Sequence, residues 1–313
     1  MPAAATLCAL LGTKYPLMQG GMAHISDAAL AAAVSNAGGL GILSAAHGNP
    51  EKLAEDIETI RTLTDKPFGV NIMLRSSNVA ALAAVIAEKH VPVVTTGAGS
   101  PAEFVSMWKK AGVKVIPVIS TASMAQIMEK AGADAVVAEG TESGGHVGEM
   151  TTMALVPQVC DAVKIPVIAA GGIADGRGFA AAMMLGACGV QIGTRFLLAS
   201  ECSVHPEYKA RILKAKDSST VVTGRRLGHP VRSIKSPFSR NYAKAEYTDI
   251  SDEDLEAMAV GSLRAAVVDG DAQKGCFLAG QISGLVSKEQ PAAEIVTEII
   301  TEAEALLHTS LHE

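Results

Sequence analysis

Hydrophobic and polar positions follow one recurring phrase along this chain: a short run of β-branched and other apolar residues, a glycine-rich or polar break, then an alanine-rich stretch of helical character. The phrase predicts a strand, a loop and a helix, which is the βα unit of a parallel sheet. Eight runs qualify as strands, at residues 16–19, 40–43, 68–73, 91–95, 113–118, 135–138, 166–169 and 189–192. The intervening helices are punctuated to match. Ala37-Gly38, Ala111-Gly112, Ala131-Gly132 and Leu185-Gly186 place glycine where a helix ends in the left-handed conformation. Ser26-Asp27, Asn49-Pro50-Glu51, Ser100-Pro101, Ser120-Thr121 and Asp175 supply a capping oxygen or a proline at helix starts. An open doubly wound sheet shares this repeat. Eight successive units with no reversal favour the closed alternative, an α/β (βα)8 TIM barrel.

Beyond Phe196 the rhythm changes. Residues 205–216 predict a helix, and residues 224–240 form a basic, proline-interrupted stretch without apolar periodicity, read as a lid over the barrel mouth. Helices are expected at 252–269 and 292–308, on either side of a glycine-rich turn at 275–284. The chain therefore divides into a barrel, residues 1–200, and a C-terminal lid with flanking helices, residues 201–313, packed on it.

Composition narrows the function classes. The sequence is 49% hydrophobic but only 4% aromatic, with 30 glycines, which suits small-residue helices over buried parallel strands and not a β-sandwich. The mean hydropathy of +0.28 raises the question of a membrane. No stretch approaches the roughly 20 apolar residues of a spanning helix, so the apolar excess is assigned to a core. Residues 1–11 lack the basic region and cleavage site of a signal peptide and are read as a first helix of a cytoplasmic protein. Five scattered cysteines with no C-x-x-C pair indicate neither a disulfide framework nor a zinc site. A net charge of −6 argues against nucleic acid as a partner. No nucleophile elbow or paired-carboxylate motif points to hydrolysis.

Barrel active sites are built from the loops at the carboxyl ends of the strands. Those loops read Gln19-Gly20-Gly21-Met22-Ala23 after the first strand, Asn71 within the third, Thr95-Thr96-Gly97-Ala98-Gly99 after the fourth, and Glu139-Gly140 through Gly144-Gly145-His146 after the sixth. The seventh and eighth end in Gly171-Gly172 and Gly193-Thr194. Glycines at both of these ends point to a phosphate held by exposed backbone N–H groups and a nearby helix start; tight turns alone would ask for the same residues. Gly97-Ala98-Gly99 lacks the full dinucleotide fingerprint. His146, on a glycine-flanked strand-end loop, is placed to exchange a proton near neutral pH, although a structural histidine fits the position equally. Glu139 is a candidate ligand-binding carboxylate, whereas Glu142 and Glu149 are expected to be exposed.

Several runs resemble the 2-nitropropane dioxygenase, or nitronate monooxygenase-like, flavoproteins, and within them the FMN-dependent enoyl-acyl-carrier-protein reductase II of the FabK type. They include Gln19 to Ala23, Ala37-Gly38-Gly39-Leu40-Gly41, Asp65 to Leu74, Gly144-Gly145-His146, Ala169 to Gly176 and Gly193-Thr194-Arg195-Phe196. Many are common to the whole family; the run Pro67 to Leu74 and the run Gly280 to Glu289 tilt toward the reductase. Ser143 stands where alanine often precedes the Gly-Gly-His, one small residue for another. The resemblance implies FMN across the barrel mouth, with Gly21, Met22, Ala23, Asn71 and Glu139 about it and its phosphate on Gly171, Gly172, Gln191, Gly193 and Thr194. It further implies NADH or NADPH as reductant, an enoyl thioester on acyl carrier protein or CoA as substrate, a homodimer, and a monovalent cation such as K⁺ or NH₄⁺ whose ligands the sequence does not name. His146 would orient the thioester or support its protonation.

The lid carries Arg225, Arg226, His229, Arg232, Lys235 and Arg240 in an otherwise acidic chain. A solvated face accounts for such a cluster. The alternative assigns Arg226 and Arg232 to phosphates of a nicotinamide cofactor or pantetheine, or to an acidic carrier protein. Two rival functions stand beside the reductase: a nitronate monooxygenase, which would use oxygen and no reduced nicotinamide, and a flavin-binding sensor without turnover.

Overall fold

A computed structural model describes residues 2–307, so the last residue of the helix expected to reach 308, and with it His308 and His312, lie outside the described residues. In chain order the strands are β1 (Leu17–Gln19), β2 (Gly41–Ser44), β3 (Phe68–Met73), β4 (Val93–Gly97), β5 (Lys114–Ile119), β6 (Val136–Glu139), β7 (Gly145–His146), β8 (Val167–Ala170), β9 (Gly189–Ile192), β10 (Thr220–Thr223) and β11 (Val231–Ile234). Eight of them form one parallel sheet in the order β1-β9-β8-β6-β5-β4-β3-β2. A parallel bridge between Met18 and Leu40 joins its two edges, with Gln19 N donating to Leu40 O and Leu40 N to Leu17 O, each at 2.9 Å. The sheet is thereby a TIM barrel, with all eight expected strands in place.

The punctuation of the sequence has the expected geometry. Gly38, Gly112, Gly132 and Gly186 end their helices at φ of +98°, +79°, +96° and +100°, a region glycine enters without a Cβ penalty. Asp27, Asn49, Thr121 and Asp175 each accept a backbone N–H in the first turn of the helix that follows. Inside the barrel, Met18, Leu40, Ile42, Val93, Ile116, Val137 and Ile168 form one buried cluster, and Leu7 and Leu11 of the first helix join it. Leu7 packs over Gly189, at the amino end of β9, so this helix plugs the base and leaves the carboxyl end as the open mouth.

The lid differs from expectation. Residues 224–240 contain strand β11, which pairs antiparallel with β10 and, on its other side, with β7, so that Val231 faces His146 and Arg232 faces Gly145. Arg232, Ser233 and Ile234 are buried in succession and two of them are polar, so no two-residue apolar alternation marks the strand. The helix expected at 252–269 is two, Asp252–Ala259 and Ser262–Val267, broken at Gly261 with φ +75°. The final helix, Ala292–Leu307, rejoins the barrel: Glu302 accepts the N–H of Gly176, and a side chain at Gly176 would strike Ala303 N at 2.5 Å. The lid is thus an excursion between the eighth barrel strand and the helix that completes the ring. No helix among the described residues is long and apolar enough to cross a membrane.

A helix and a strand approach closely at Gly41, where an added Cβ would lie 1.8 Å from the carbonyl oxygen of Ala31. We expect Gly41→Ala to destabilise the protein by at least ~2 kcal/mol through overpacking, measured as a lower urea midpoint at unchanged m-value.

Candidate active site

Above the apolar interior, the next inward layer toward the mouth is polar. Asn71, Thr95, Glu139 and Gln191 stand two residues beyond the interior positions Gly69, Val93, Val137 and Gly189, so the strand alternation turns all four inward. Thr95 Oγ1 donates to Asn71 Oδ1 at 2.9 Å, which fixes the amide. Glu139 is half-buried. Withdrawal from water pushes its carboxyl up to about 7, and the neighbouring Ser143 hydroxyl draws it partly back. That hydroxyl is itself buried without a hydrogen bond of good geometry among the described residues.

The loop after β1 lies directly on this layer. A side chain at Gly21 would fall 2.2 Å from Asn71 Cβ, and one at Gly20 would meet Gln191 and Gly193 at 3.6–3.7 Å. Met22 Sδ lies 3.7 Å from where a Cβ on Gly193 would stand, and its backbone N–H is held by Ser26 Oγ at 2.9 Å. Ala23 is half-buried in the same turn. Gly21, Met22, Asn71, Gln191 and Gly193, which are scattered through the sequence, therefore surround one spot at the mouth.

Gly171 and Gly172 adopt φ of +85° and +76°, and among the described residues the backbone N–H groups of Gly172, Ile173 and Ala174 donate no hydrogen bond. Three free donors in a glycine turn make an anion cradle. The helix start beyond it is different. Asp175 takes the N–H groups of Arg177 and Gly178, and Glu302 takes that of Gly176 at 2.8 Å. Two carboxylates thus fill that helix end, and the helix start near the glycines is the short 3₁₀ turn Thr194–Leu198 after β9. Thr194 Oγ1 accepts the N–H of Gly280 at 2.9 Å and pins the 280 loop to the barrel. Glu142, expected to be exposed, is half-buried and caps the helix Thr152–Ala162 by accepting the N–H and hydroxyl of Thr152 at 3.0 Å. Glu149 is exposed.

His146 sits at the rim, on the strand that pairs with the lid. Although it is exposed, partial desolvation lowers its pKa first, and the nearby His229 and Arg75 lower it further, which favours the neutral imidazole near pH 7. Arg232 lies behind it, donating to Thr141 O at 3.1 Å and to Thr220 Oγ1 at 3.0 Å, and so ties the His146 loop to the hairpin. Arg226 turns away from the mouth, bonding Asp252 and the carbonyls of Thr248 and Ile250. Sequence reasoning passed over Arg75, four residues beyond Asn71. Its only signal was that position at a strand end.

A glycine-lined barrel mouth with free backbone donors after its seventh strand and a rim imidazole defines a class, and comparison places the chain in it. The profile of the nitronate monooxygenase family matches residues 4–89 and 78–302, and the chain belongs to that family of flavin-dependent oxidoreductases. Among individual proteins, it resembles FabK from Thermotoga maritima, with 49% identity over 96% of each chain and a TM-score of 0.95. It is also 34% identical to a probable nitronate monooxygenase of Staphylococcus aureus, over 96% of this chain and 98% of the relative. A (3aS,4S,5R,7aS)-5-hydroxy-7a-methyl-1-oxo-octahydro-1H-indene-4-carboxyl-CoA dehydrogenase of Mycobacterium tuberculosis matches at 34% over 97% of both.

The mouth fits a flavin nucleotide: the cradle offers donors to a phosphate, and Gly20 and Gly21 remove the side chains that would fill the space beside Asn71 and Gln191. Gly21→Ala must push Asn71 aside. We expect that variant to purify with most of its flavin absorbance lost while keeping a native circular dichroism spectrum. Glu139 gives a pH test. Its folded-state pKa of about 7 exceeds the ordinary 4.5, so the stability of the neutral carboxyl is full below pH 4.5 and is lost as pH rises through 7. Thermal melts of flavin-free protein should show Glu139→Gln gaining on the parent as pH climbs from about 5 to about 8. A constant gap would refute the shifted carboxyl.

Proposed function

We propose that this enzyme reduces the carbon–carbon double bond of a trans-2-enoyl thioester, on acyl carrier protein or CoA, at the expense of NADH or NADPH and with FMN as its cofactor, the last step of a fatty-acid elongation cycle. The observation that supports it most is the likeness to FabK, the enoyl-acyl-carrier-protein reductase type, at an identity well above that to the nitronate monooxygenase. The CoA thioester in the name of a second relative points to the same substrate class.

Bound FMN would supply hydride transfer from the nicotinamide to the β-carbon. Gly21, Met22, Ala23, Asn71 and Glu139 would border its ring and ribityl chain, and Gly171, Gly172, Gln191, Gly193 and Thr194 its phosphate. Addition at the β-carbon drives negative charge onto the thioester carbonyl and leaves the α-carbon to be protonated. A neutral His146 offers an N–H hydrogen bond to that carbonyl, and at the exposed rim it can take a proton from solvent and pass it on, as imidazolium, to the α-carbon. The same reading carries a cytoplasmic homodimer and stimulation by K⁺ or NH₄⁺.

Nitronate oxidation is the second reading, favoured by the family and by the same neutral imidazole, which would serve as a base. Anaerobic stopped-flow separates the two. Flavin reduced by NADH or NADPH should reoxidise rapidly on mixing with crotonyl thioester, whereas reduction by a nitronate and not by nicotinamide would establish the oxidase chemistry. We expect His146→Ala to keep its FMN and lose about 100-fold or more in kcat/KM for enoyl reduction. Near-parental turnover by that variant would remove His146 from the mechanism.

A further inference from the structure

At the rim, Arg75 leaves the loop after β3 and meets His229 in the turn of the lid hairpin. Its Nη1 lies 3.0 Å from His229 Nδ1 and 3.3 Å from Nε2. Such nearly equal distances put the guanidinium over the face of the ring, because an in-plane bond to one nitrogen would leave the other much farther away. Stacking of this kind is natural for arginine, and it satisfies neither ring nitrogen.

No carboxylate compensates the pair. Among the described residues, no acidic side chain lies within 4.0 Å of Arg75 or His229, or of Arg225 in the same turn. The contrast with a neighbouring cation in the same turn is plain: Arg226 has Asp252 at 2.9 Å. In a chain of net charge −6, this leaves a patch of positive charge at the one opening of the barrel. Its effect reaches His146, since Val231, two residues from His229, is the pairing partner of that histidine.

We propose that Arg75 and His229 bind a phosphate ester of the incoming ligand, at a rim site separate from the cradle at Gly172–Ala174. The guanidinium fork and an imidazole N–H are a donor set matched to phosphate oxygens. The identity of the ligand rests on the enoyl reductase reading, in which both reactants carry such a group: the nicotinamide dinucleotide in its phosphates, the thioester in its phosphopantetheine arm. A nitronate carries none.

The test uses FMN-loaded protein titrated calorimetrically with coenzyme A and, separately, with NADP⁺, comparing the parent with Arg75→Gln, His229→Gln, Arg75→Lys and the double glutamine variant. Loss of a charge-assisted contact should weaken Kd for one of these probes roughly 10- to 100-fold in Arg75→Gln, with partial recovery in Arg75→Lys. Weakening confined to NADP⁺ assigns the site to the dinucleotide. Weakening confined to coenzyme A assigns it to the pantetheine arm, and KM for crotonyl-CoA should then rise about tenfold more than KM for the phosphate-free crotonyl N-acetylcysteamine. If the double variant binds both probes within about twofold of the parent, the site is overturned. Absence of turnover with either thioester would instead defeat the reductase reading, and the two binding constants would still judge the anion site.

Discussion

Everything at the mouth depends on the seam between β1 and β2. Few backbone bonds close it, through Leu17, Gln19 and Leu40, and the buried amide of Gln19 reinforces them by accepting the N–H of Ile42 at 3.0 Å. Without that join the sheet would be open, with β1 and β2 at opposite edges. Closed, it sets the loop after β1 between two neighbourhoods. Gly21 rests on Asn71 of β3, while Gly20 rests on Gln191 and Gly193 at the end of β9. One loop thereby gathers residues from both ends of the barrel sequence around a single spot.

A second backbone ladder connects this rigid mouth to the lid. β7 is only two residues long, but it carries His146 and is paired to β11, and Arg232 adds side-chain bonds between the same pieces. Ladder bonds do not allow the lid to shift while His146 stays behind. The rim imidazole is therefore positioned as much by the lid as by the barrel. A buried guanidinium whose pKa is lowered by desolvation is a costly group to place behind it, which is consistent with a positioning task.

The legible part of the fold was the part governed by local chemistry. Glycine at a helix end and a carboxylate or hydroxyl at a helix start act through their own backbone neighbours, so Gly38, Gly112, Gly132 and Gly186, together with Asp27, Asn49, Thr121 and Asp175, could be read without tertiary information. Loop glycines at strand ends led to the mouth for the same reason. The hairpin was not legible: Val221, Val222 and Val231 stand among arginines, glycine and proline, and β11, which carries Val231 and pairs with Val221 and Val222, is anchored by β7 across some 85 residues of chain. Nor could sequence show that Glu142 caps a helix, that Arg226 faces Asp252, or that Glu302 joins Asp175 at the helix start beyond Gly172. Each of those is a contact across the fold, and a charged residue looks the same in sequence whether it waits for a ligand or already has a partner.

These prior commitments clarify the electrostatics of the site. With Arg226 and Arg232 held internally and Glu139 near half-protonation at neutral pH, the rim is governed by Arg75, His229 and His146. Desolvation first, and then its positive neighbours, hold the pKa of His146 below the ordinary histidine value. A phosphate settling on Arg75 and His229 would cancel the repulsion that His146 feels and make its ring easier to protonate. Proton-donating capacity would then increase when the ligand is in place, which suits a reaction that must deliver a proton to carbon only after the double bond has been attacked. In nitronate chemistry the imidazole would start neutral and take up a proton as the base, and a nitronate brings no phosphate to Arg75 and His229, so that reaction would leave the rim charges without a ligand.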